Sequence, residues 1–441
     1  MRRIIFIAFL AILEMTAPAL AGGFSIPDLG MRKNGMGAVI GRPDELSAVY
    51  HNPAGLALLP GTRFFTGIGI SFVNTDFRLR PWQHSDQYIN APVDADGYYP
   101  ETQPTRAFGV LPMLVFSTDI WTEKLVAALS LYVPNAIGAA FAEDSVARYH
   151  LVDSLMIAGY ASLSLAYRLS PVLSVGATFS LMYVHISAWR RFFPHVDGID
   201  ISSLIGSEAD LKLSGEDFAF GWTAGFLFQP HSSLSIGVVA TGRTDVTLEG
   251  AVELIPSEDA LATEAALGSQ KTEVVIPSSL NVGFNLDILP WLEFGAEFRY
   301  YFYSAWREQL SLLQDLPLVT ELRSPKDFHD SWQISGGFRV EIPKIRELEV
   351  MVGYHYDRNP APDTTVSLEQ PMFDNTGAHL GVRYTLNKRY RFGLTYVHYW
   401  YLQRDVNTST TLPPSNFQGS GKNNMVNLIF EWLIGTGITS S

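Results

Sequence analysis

The sequence predicts an all-β protein: a transmembrane antiparallel β-barrel of about 14 strands whose lumen holds an N-terminal plug. Apolar and polar residues alternate with a period of two through most of the chain, as in strands whose two faces meet different surroundings. Short turns alternate with long polar loops, as in outer-membrane barrels. Only 17% of the residues are charged, against roughly 25% in ordinary globular proteins. Something other than water therefore faces much of the surface.

Residues 1–21 have the pattern of a secretory signal peptide. Arg2 and Arg3 precede an uninterrupted apolar run of ten residues, 4–13, and Ala19 and Ala21 are small residues at a cleavage site. Ten apolar residues are too few to cross a bilayer as a helix. We expect cleavage near Ala21 and a mature protein in the outer membrane of a Gram-negative-type cell.

Residues 22–61 show no strand period and are predicted to plug the lumen. They are rich in glycine and in apolar side chains, such as Met31, Met36 and Val39, that favour burial, and they lack the composition of a disordered tail. The available cavity is the interior of the barrel. Near its end the segment carries a hatch motif of four residues: Asn52, Pro53, Ala54 and Gly55. By itself this motif predicts a tight turn.

Residues 62–433 form the predicted barrel, followed by a tail at 434–441. At 280–288, for example, Leu280, Val282 and Phe284 share one face, and the residues between them are polar or glycine. The fourteen segments of this kind are 62–80, 107–117, 125–133, 158–169, 172–190, 212–229, 233–248, 274–288, 291–308, 328–342, 347–358, 374–386, 389–403 and 423–433. Six of the connections are short turns, one of them at Asn387-Lys388. The even strand number places both termini on the periplasmic side.

Composition excludes several classes of protein and site. A net charge of −13 argues against a nucleic-acid partner, because phosphate recognition needs a basic surface. The absence of cysteine excludes disulfides, thiolate metal sites and a cysteine nucleophile. The chain has no GxSxG elbow and no HExxH zinc motif. We expect no enzyme activity, no catalytic residue, no metal and no cofactor.

Residues 22–61, GGFSIPDLGMRKNGMGAVIGRPDELSAVYHNPAGLALLPG, resemble the N-terminus of the FadL-type outer-membrane transporters of long-chain fatty acids and other hydrophobic compounds. The stretches 274–306 and 354–384 resemble this family as well. The resemblance implies a fourteen-stranded barrel with an N-terminal hatch, and a cargo that is a long-chain fatty acid or an aromatic or aliphatic hydrocarbon. It implies capture at extracellular loops, passage to a lumen pocket at the hatch, and exit sideways through the wall into the outer-membrane lipid.

The resemblance also suggests where these steps occur in this chain. The expected lumen pocket comprises Gly22, Gly23, Phe24, Ile26 and Leu29. The expected extracellular groove comprises Leu204, Ile205, Leu254 and Ile255. Pro134 and Asn135 are the expected strand break at the lateral exit, since a proline cannot donate to a strand ladder.

Two other functions remain open from the sequence. A diffusion porin for small polar solutes shares the barrel but keeps its lumen open. An outer-membrane lipid hydrolase is the third alternative, because His185 and Ser187 lie two residues apart; however, they share the face of Phe179, Leu181 and Tyr183, which points to lipid or the rim. A lateral exit needs lipid-facing wall, so we expect a monomer.

Overall fold

The computed structural model describes residues 28–82, 85, 89–105, 108–120, 122, 124–193, 195–196, 199–200, 205–261, 264–316 and 320–435. Strands dominate them: β1 Thr62–Leu79, β2 Phe108–Asp119, β3 Leu125–Ala140, β4 Asp153–Ser170, β5 Leu173–Phe192, β6 His195–Val196, β7 Ile199–Asp200, β8 Ala209–His231, β9 Leu234–Thr241, β10 Thr244–Pro256, β11 Ala266–Ile276, β12 Ser279–Leu289, β13 Leu292–Tyr301, β14 Glu308–Gln314, β15 Glu321–Pro325, β16 Ser331–Ile342, β17 Ile345–Asp357, β18 Asn375–Leu386, β19 Tyr390–Val406 and β20 Phe417–Gly435.

The helices are short. The described residues include the α-helices α1 Met31–Met36 and α2 Ala48–His51 and the 3₁₀ helices Pro53–Leu58 and Tyr303–Ala305. Within the described residues, no helix is long and apolar enough to cross a membrane.

The strands form a closed antiparallel barrel with fourteen wall positions. Eighteen strands belong to one sheet, and β6 pairs only with β7. Four wall positions are each built from two consecutive strands, β9 with β10, β11 with β12, β13 with β14 and β15 with β16, so that 18 − 4 = 14. Pairing of β1 with β20 along their whole length closes the wall. The predicted all-β barrel of about 14 strands is confirmed.

The two faces of the wall differ as the alternation predicts. Large apolar side chains point outward and are exposed, among them Phe220 at 79% and Phe179 at 62%. Small and polar side chains such as Ser71 and Asn285 point inward and are fully buried. At the turn between β18 and β19, Asn387 and Lys388 both have positive φ, the conformation of a tight type I′ hairpin.

Several strands run further than predicted at the end of the barrel that carries the long loops, which we call the loop end. β3 continues to Ala140 instead of ending at 133, and β20 begins at Phe417 instead of 423. In the added part of β3, residues 132–140 are all buried. A stretch buried on both faces has no apolar and polar alternation, so the period-two signal stops before the strand does. At the other terminus, β20 extends two residues into the predicted tail.

Candidate functional site

Residues 28–59 lie against the inner face of the wall, and most of them are buried. The helix α1 contacts β16, β17, β18, β19 and β20, whereas the 3₁₀ helix Pro53–Leu58 contacts β3, β4, β5 and β8. The segment therefore touches both sides of the barrel interior. We call residues 28–61 the plug segment.

The start of α1 is held by a carboxylate from within the plug segment. Glu45 Oε1 accepts hydrogen bonds from the backbone N–H of Met31 at 2.6 Å and of Arg32 at 3.3 Å, and from Ser47 Oγ at 2.7 Å. These N–H groups have no partner inside the helix. Gly30, at φ +84°, leaves no room for a side chain, because a Cβ would lie 2.3 Å from Ser47 Oγ. Burial, reinforced by Asp44, raises the pKa of the Glu45 carboxyl.

Ion pairs join the plug segment to the wall. Arg32 contacts Glu293 at 2.5 Å and Asp44 at 3.0 Å, and the Arg32 and Glu293 side chains are fully buried. Lys33 Nζ lies 2.8 Å from Glu297 Oε1, and Glu297 Oε2 accepts hydrogen bonds from the backbone N–H groups of two further plug residues. Buried charges are tolerated when they are paired and hydrogen-bonded. The strand period predicts that Glu293 and Glu297 point inward, but which plug residue each one meets depends on the fold, because more than 250 residues separate the partners.

The hatch motif fastens the end of the plug segment to the opposite wall. Asn52 Oδ1 accepts a hydrogen bond from the N–H of Ala54 at 3.2 Å, which is the predicted local turn. Asn52 Nδ2 donates to the carbonyls of Ile40 at 3.0 Å and Phe226 at 3.2 Å. Pro53 starts the 3₁₀ helix, and a Cβ on Gly55 would lie 2.1 Å from the Pro43 ring. The motif is thus both a turn and a contact with β8.

Leu29 is the residue of the expected lumen pocket that lies within the described part of the chain; Gly22, Gly23, Phe24 and Ile26 lie outside it. Leu29 is buried, and its carbonyl lies 2.6 Å from Nε2 of His51. Burial, reinforced by the Arg299 guanidinium, lowers the pKa of His51 to about 3, so the ring is neutral at physiological pH. Its Nε2–H donates to Leu29, and its Nδ1 accepts from Arg299 Nη2 at 3.1 Å.

The ladder between β2 and β3 is interrupted at Pro134. β2 pairs with β3 only from Met113–Tyr132 to Asp119–Val126, although β2 pairs with β1 as far as Phe108. The register of β3 against β4 shifts between Tyr132 and Asn135. Beyond the interruption, the N–H of Thr105 donates to the carbonyl of Ala140 at 2.7 Å. Between these two contacts, the described residues of β2 and β3 form no ladder pair with each other, and we call this stretch the gap between β2 and β3.

Aromatic side chains fill the loop end of the interior. The ring of Phe77 lies 5.5 Å from that of Phe417 and 6.0 Å from that of Phe141. A second cluster places Trp306 5.6 Å from Phe328, and both are buried. This part of the interior is suited to apolar molecules rather than hydrated ions.

Two cations lie beside aromatic rings at this end of the barrel, Lys326 beside Trp306 and Arg190 beside Phe192. Arg190 faces inward at the loop end of β5, and the buried Lys326 ammonium lies 5.8 Å from the Trp306 ring. Within the described residues, neither cation makes an ion pair; Glu369 influences both from a greater distance. Burial lowers the pKa of Lys326. Sequence reasoning missed both residues. One is at a strand end and the other in a loop, and nothing in the local sequence sets these two cations apart from the other Lys and Arg residues of the chain.

Two residues of the expected extracellular groove, Ile205 and Leu254, are buried in the structure. Leu204 lies outside the described residues. Ile205 and Leu254 are buried in a small apolar cluster with Leu211, Val252 and Leu313, and Ile255 is half-buried. This cluster lies where β8, β10, β11 and β14 extend at the loop end of the wall. A groove-forming role for these residues stays a prediction.

Comparison with known proteins places the chain among transport proteins. Residues 12–430 match the family model described as outer membrane protein transport protein (OMPP1/FadL/TodX). No curated protein matches the chain.

Among solved structures, a FadL homologue from Pseudomonas aeruginosa matches with a TM-score of 0.78 at 15% identity, over 94% of this chain and 100% of that one. The toluene transporter TodX from Pseudomonas putida matches with a TM-score of 0.69 at 14% identity, over 94% and 100%. The monoaromatic hydrocarbon channel CymD matches with a TM-score of 0.67 at 15% identity, over 95% and 99%. At these identities the structures establish a shared fold. The family match over almost the whole sequence shows that this chain belongs to the OMPP1/FadL/TodX family of outer-membrane transport proteins.

Proposed function

We propose that this protein takes up long-chain fatty acids across the outer membrane. The observation that carries the proposal is two cations at the loop end of the barrel, each beside an aromatic ring. Lys326 is buried and lies 5.8 Å from the Trp306 ring, and Arg190 is half-buried and lies 5.7 Å from the Phe192 ring. A hydrophobic tail gains about 0.8 kcal/mol for each CH₂ that leaves water, and a carboxylate would supply the counter-ion that neither cation has among the described residues.

The proposed path runs from the extracellular loops into the interior and then out through the gap between β2 and β3. Cargo enters at the extracellular loops and is held at the loop end of the interior by apolar contacts and by Arg190 and Lys326. The plug segment blocks a straight path toward the periplasm, because its ion pairs tie it to several strands. The gap between β2 and β3 then offers a sideways exit into lipid near Pro134.

The test compares two cargoes in cells that lack their own fatty acid transporter. Replacing both cations, Arg190→Gln with Lys326→Gln, should lower the uptake of labelled oleate at least tenfold and leave toluene uptake within twofold. The matched control is Arg243→Gln with Lys271→Gln. Both are exposed cations; Arg243 directly precedes β10, and Lys271 lies on β11. Equal oleate uptake by the double variant and the wild type would refute the role of the cations.

The second candidate cargo is a neutral aromatic hydrocarbon. The buried rings around Phe77 and Trp306 favour it, and it needs no counter-ion. Under this alternative, toluene competes for uptake and the loss of both cations has no effect on transport. A diffusion porin instead predicts large, stable ion conductance from the intact protein in a planar bilayer, which the plug segment and its ion pairs argue against.

A further inference from the structure

The outer surface of the barrel carries a depression across four neighbouring strands, β18, β19, β20 and β1. It has a volume of about 520 Å³. Two cross-strand rows of outward side chains border it: Tyr384, Phe392, Phe430 and Thr66 form the row nearer the short turns, and Val382, Leu394, Leu428 and Ile68 form the other. The backbone of Gly393, Ile429 and Gly67 forms its floor. We call this depression the wall groove.

Basic residues are concentrated on the short turns beside the wall groove. Lys388 and Arg389 belong to the turn between β18 and β19. Lys344 belongs to the adjacent turn between β16 and β17, and Arg346 follows it as the second residue of β17. All four are exposed, and none makes an ion pair with another described residue. With Glu347, residues 343–347 and 387–389 carry four positive charges and one negative, a net +3, although the whole chain carries −13.

The spacing of these two features matches the shape of a phospholipid. Phe392 lies three positions after Arg389 at the start of β19, which is roughly 10 Å of strand. Tyr390 and Trp432 lie between them with their rings 6.0 Å apart, and such rings sit at the headgroup level of a membrane. Basic clusters at a membrane surface attract anionic headgroups. A headgroup at the turns would thus have its tail at the depth of the wall groove.

We infer that this face of the barrel binds an anionic phospholipid of the periplasmic leaflet. The phosphate lies at these two turns, near Lys388, Arg389, Lys344 and Arg346, and one acyl chain lies in the wall groove. The site is on the lipid-facing side of the wall, apart from the lumen and from the gap between β2 and β3. It is therefore independent of the cargo.

Native mass spectrometry of the full-length protein in detergent tests this site. Dioleoyl phosphatidylglycerol should bind at least tenfold more tightly than dioleoyl phosphatidylcholine, which has the same tails but no net charge. The variant Lys388→Gln with Arg389→Gln should lower the phosphatidylglycerol affinity roughly 30-fold, from about 1 kcal/mol for each basic residue. The control Lys124→Gln with Lys422→Gln removes the same charge from exposed lysines elsewhere, and it should keep the preference.

Two outcomes would overturn the inference. One is equal binding of the two lipids to the wild type, or an unchanged preference in Lys388→Gln with Arg389→Gln. The other is displacement of phosphatidylglycerol by an equal concentration of soluble glycerol phosphate, because the wall groove would then contribute nothing. Folding of each variant is checked by the heat-dependent shift of the barrel on a gel.

Discussion

The contacts of Glu297 on β13 offer the most direct test of how the wall keeps the plug segment docked. Its side chain is fully buried. One oxygen accepts from Lys33 Nζ at 2.8 Å and from Arg299 Nε at 2.7 Å, and the other accepts from the N–H groups of Val39 at 2.8 Å and Ile40 at 3.1 Å. The change Glu297→Gln keeps the shape of the side chain and removes its charge.

The expected cost follows from what the substitution leaves behind. Lys33 and Arg299 stay buried with no carboxylate between them, and the new amide N–H₂ faces either cations or N–H donors. Removing one partner of a buried pair costs about 3–5 kcal/mol. At about 1.4 kcal/mol for each tenfold change, that cost raises the population with an undocked plug segment by roughly 10²-fold to 4 × 10³-fold. The wall keeps its strand pairing, so the barrel itself stays folded.

Single-channel recording in planar bilayers measures this population as the fraction of time spent open. We expect Glu297→Gln to show frequent ion-conducting openings that the wild type lacks. Adding Lys33→Met should restore part of the closure, because one uncompensated charge disappears. Glu249→Gln is the control, since its pair with Lys271 is exposed and such pairs contribute little. If the Glu297→Gln channel stays as closed as the wild type, the Glu297 carboxylate does not hold the plug segment in place.

Three further predictions concern the plug segment and the gap in the wall. The pKa of His51 is lowered from 6.5 to about 3, so its contribution to docking of the plug segment is present above pH 6.5 and is lost as the pH falls toward 3. The fraction of time that the channel spends open should therefore rise as the pH falls over this range. The variant His51→Gln keeps both hydrogen bonds and should abolish that pH dependence. A Cβ at Gly237 would lie 2.0 Å from a plug-segment carbonyl, whereas one at Gly435 would meet nothing; Gly237→Ala should increase protease cleavage of the plug segment, and Gly435→Ala should not. Pro134→Ala restores an N–H that can pair across the gap between β2 and β3, so it should slow oleate uptake several-fold while oleate binding stays unchanged. The control Pro171→Ala, in a short turn, should leave oleate uptake and oleate binding unchanged.

Much of the barrel could be predicted from local sequence. The period of two fixes which side chains of β12, such as Leu280 and Val282, face lipid, because successive residues of a strand point to opposite faces. The turn at Asn387-Lys388 follows from residues that tolerate positive φ. The same reasoning failed for the part of β3 that follows Val133, where burial on both faces of the strand removes the alternation of apolar and polar residues.

The candidate site was predictable only in part. The turn formed by Asn52 and Ala54 is local, so sequence reasoning found it. The second role of Asn52, donating to the Phe226 carbonyl, depends on how the plug segment lies against β8, 174 residues away. Glu45 is likewise an unremarkable acid in the sequence, and only the fold brings it to the start of α1.

Alternation and turn chemistry are properties of neighbouring residues, so the amino-acid sequence was enough to predict a β-barrel with a segment outside the strand pattern. The folded chain was needed to see which charges meet, where the wall loses its pairing at Pro134, and that Arg190 and Lys326 lie beside aromatic rings. These facts depend on closure of the barrel, which brings residues such as Lys33 and Glu297 within 2.8 Å of one another. No local pattern encodes a distance between residues so far apart in the chain.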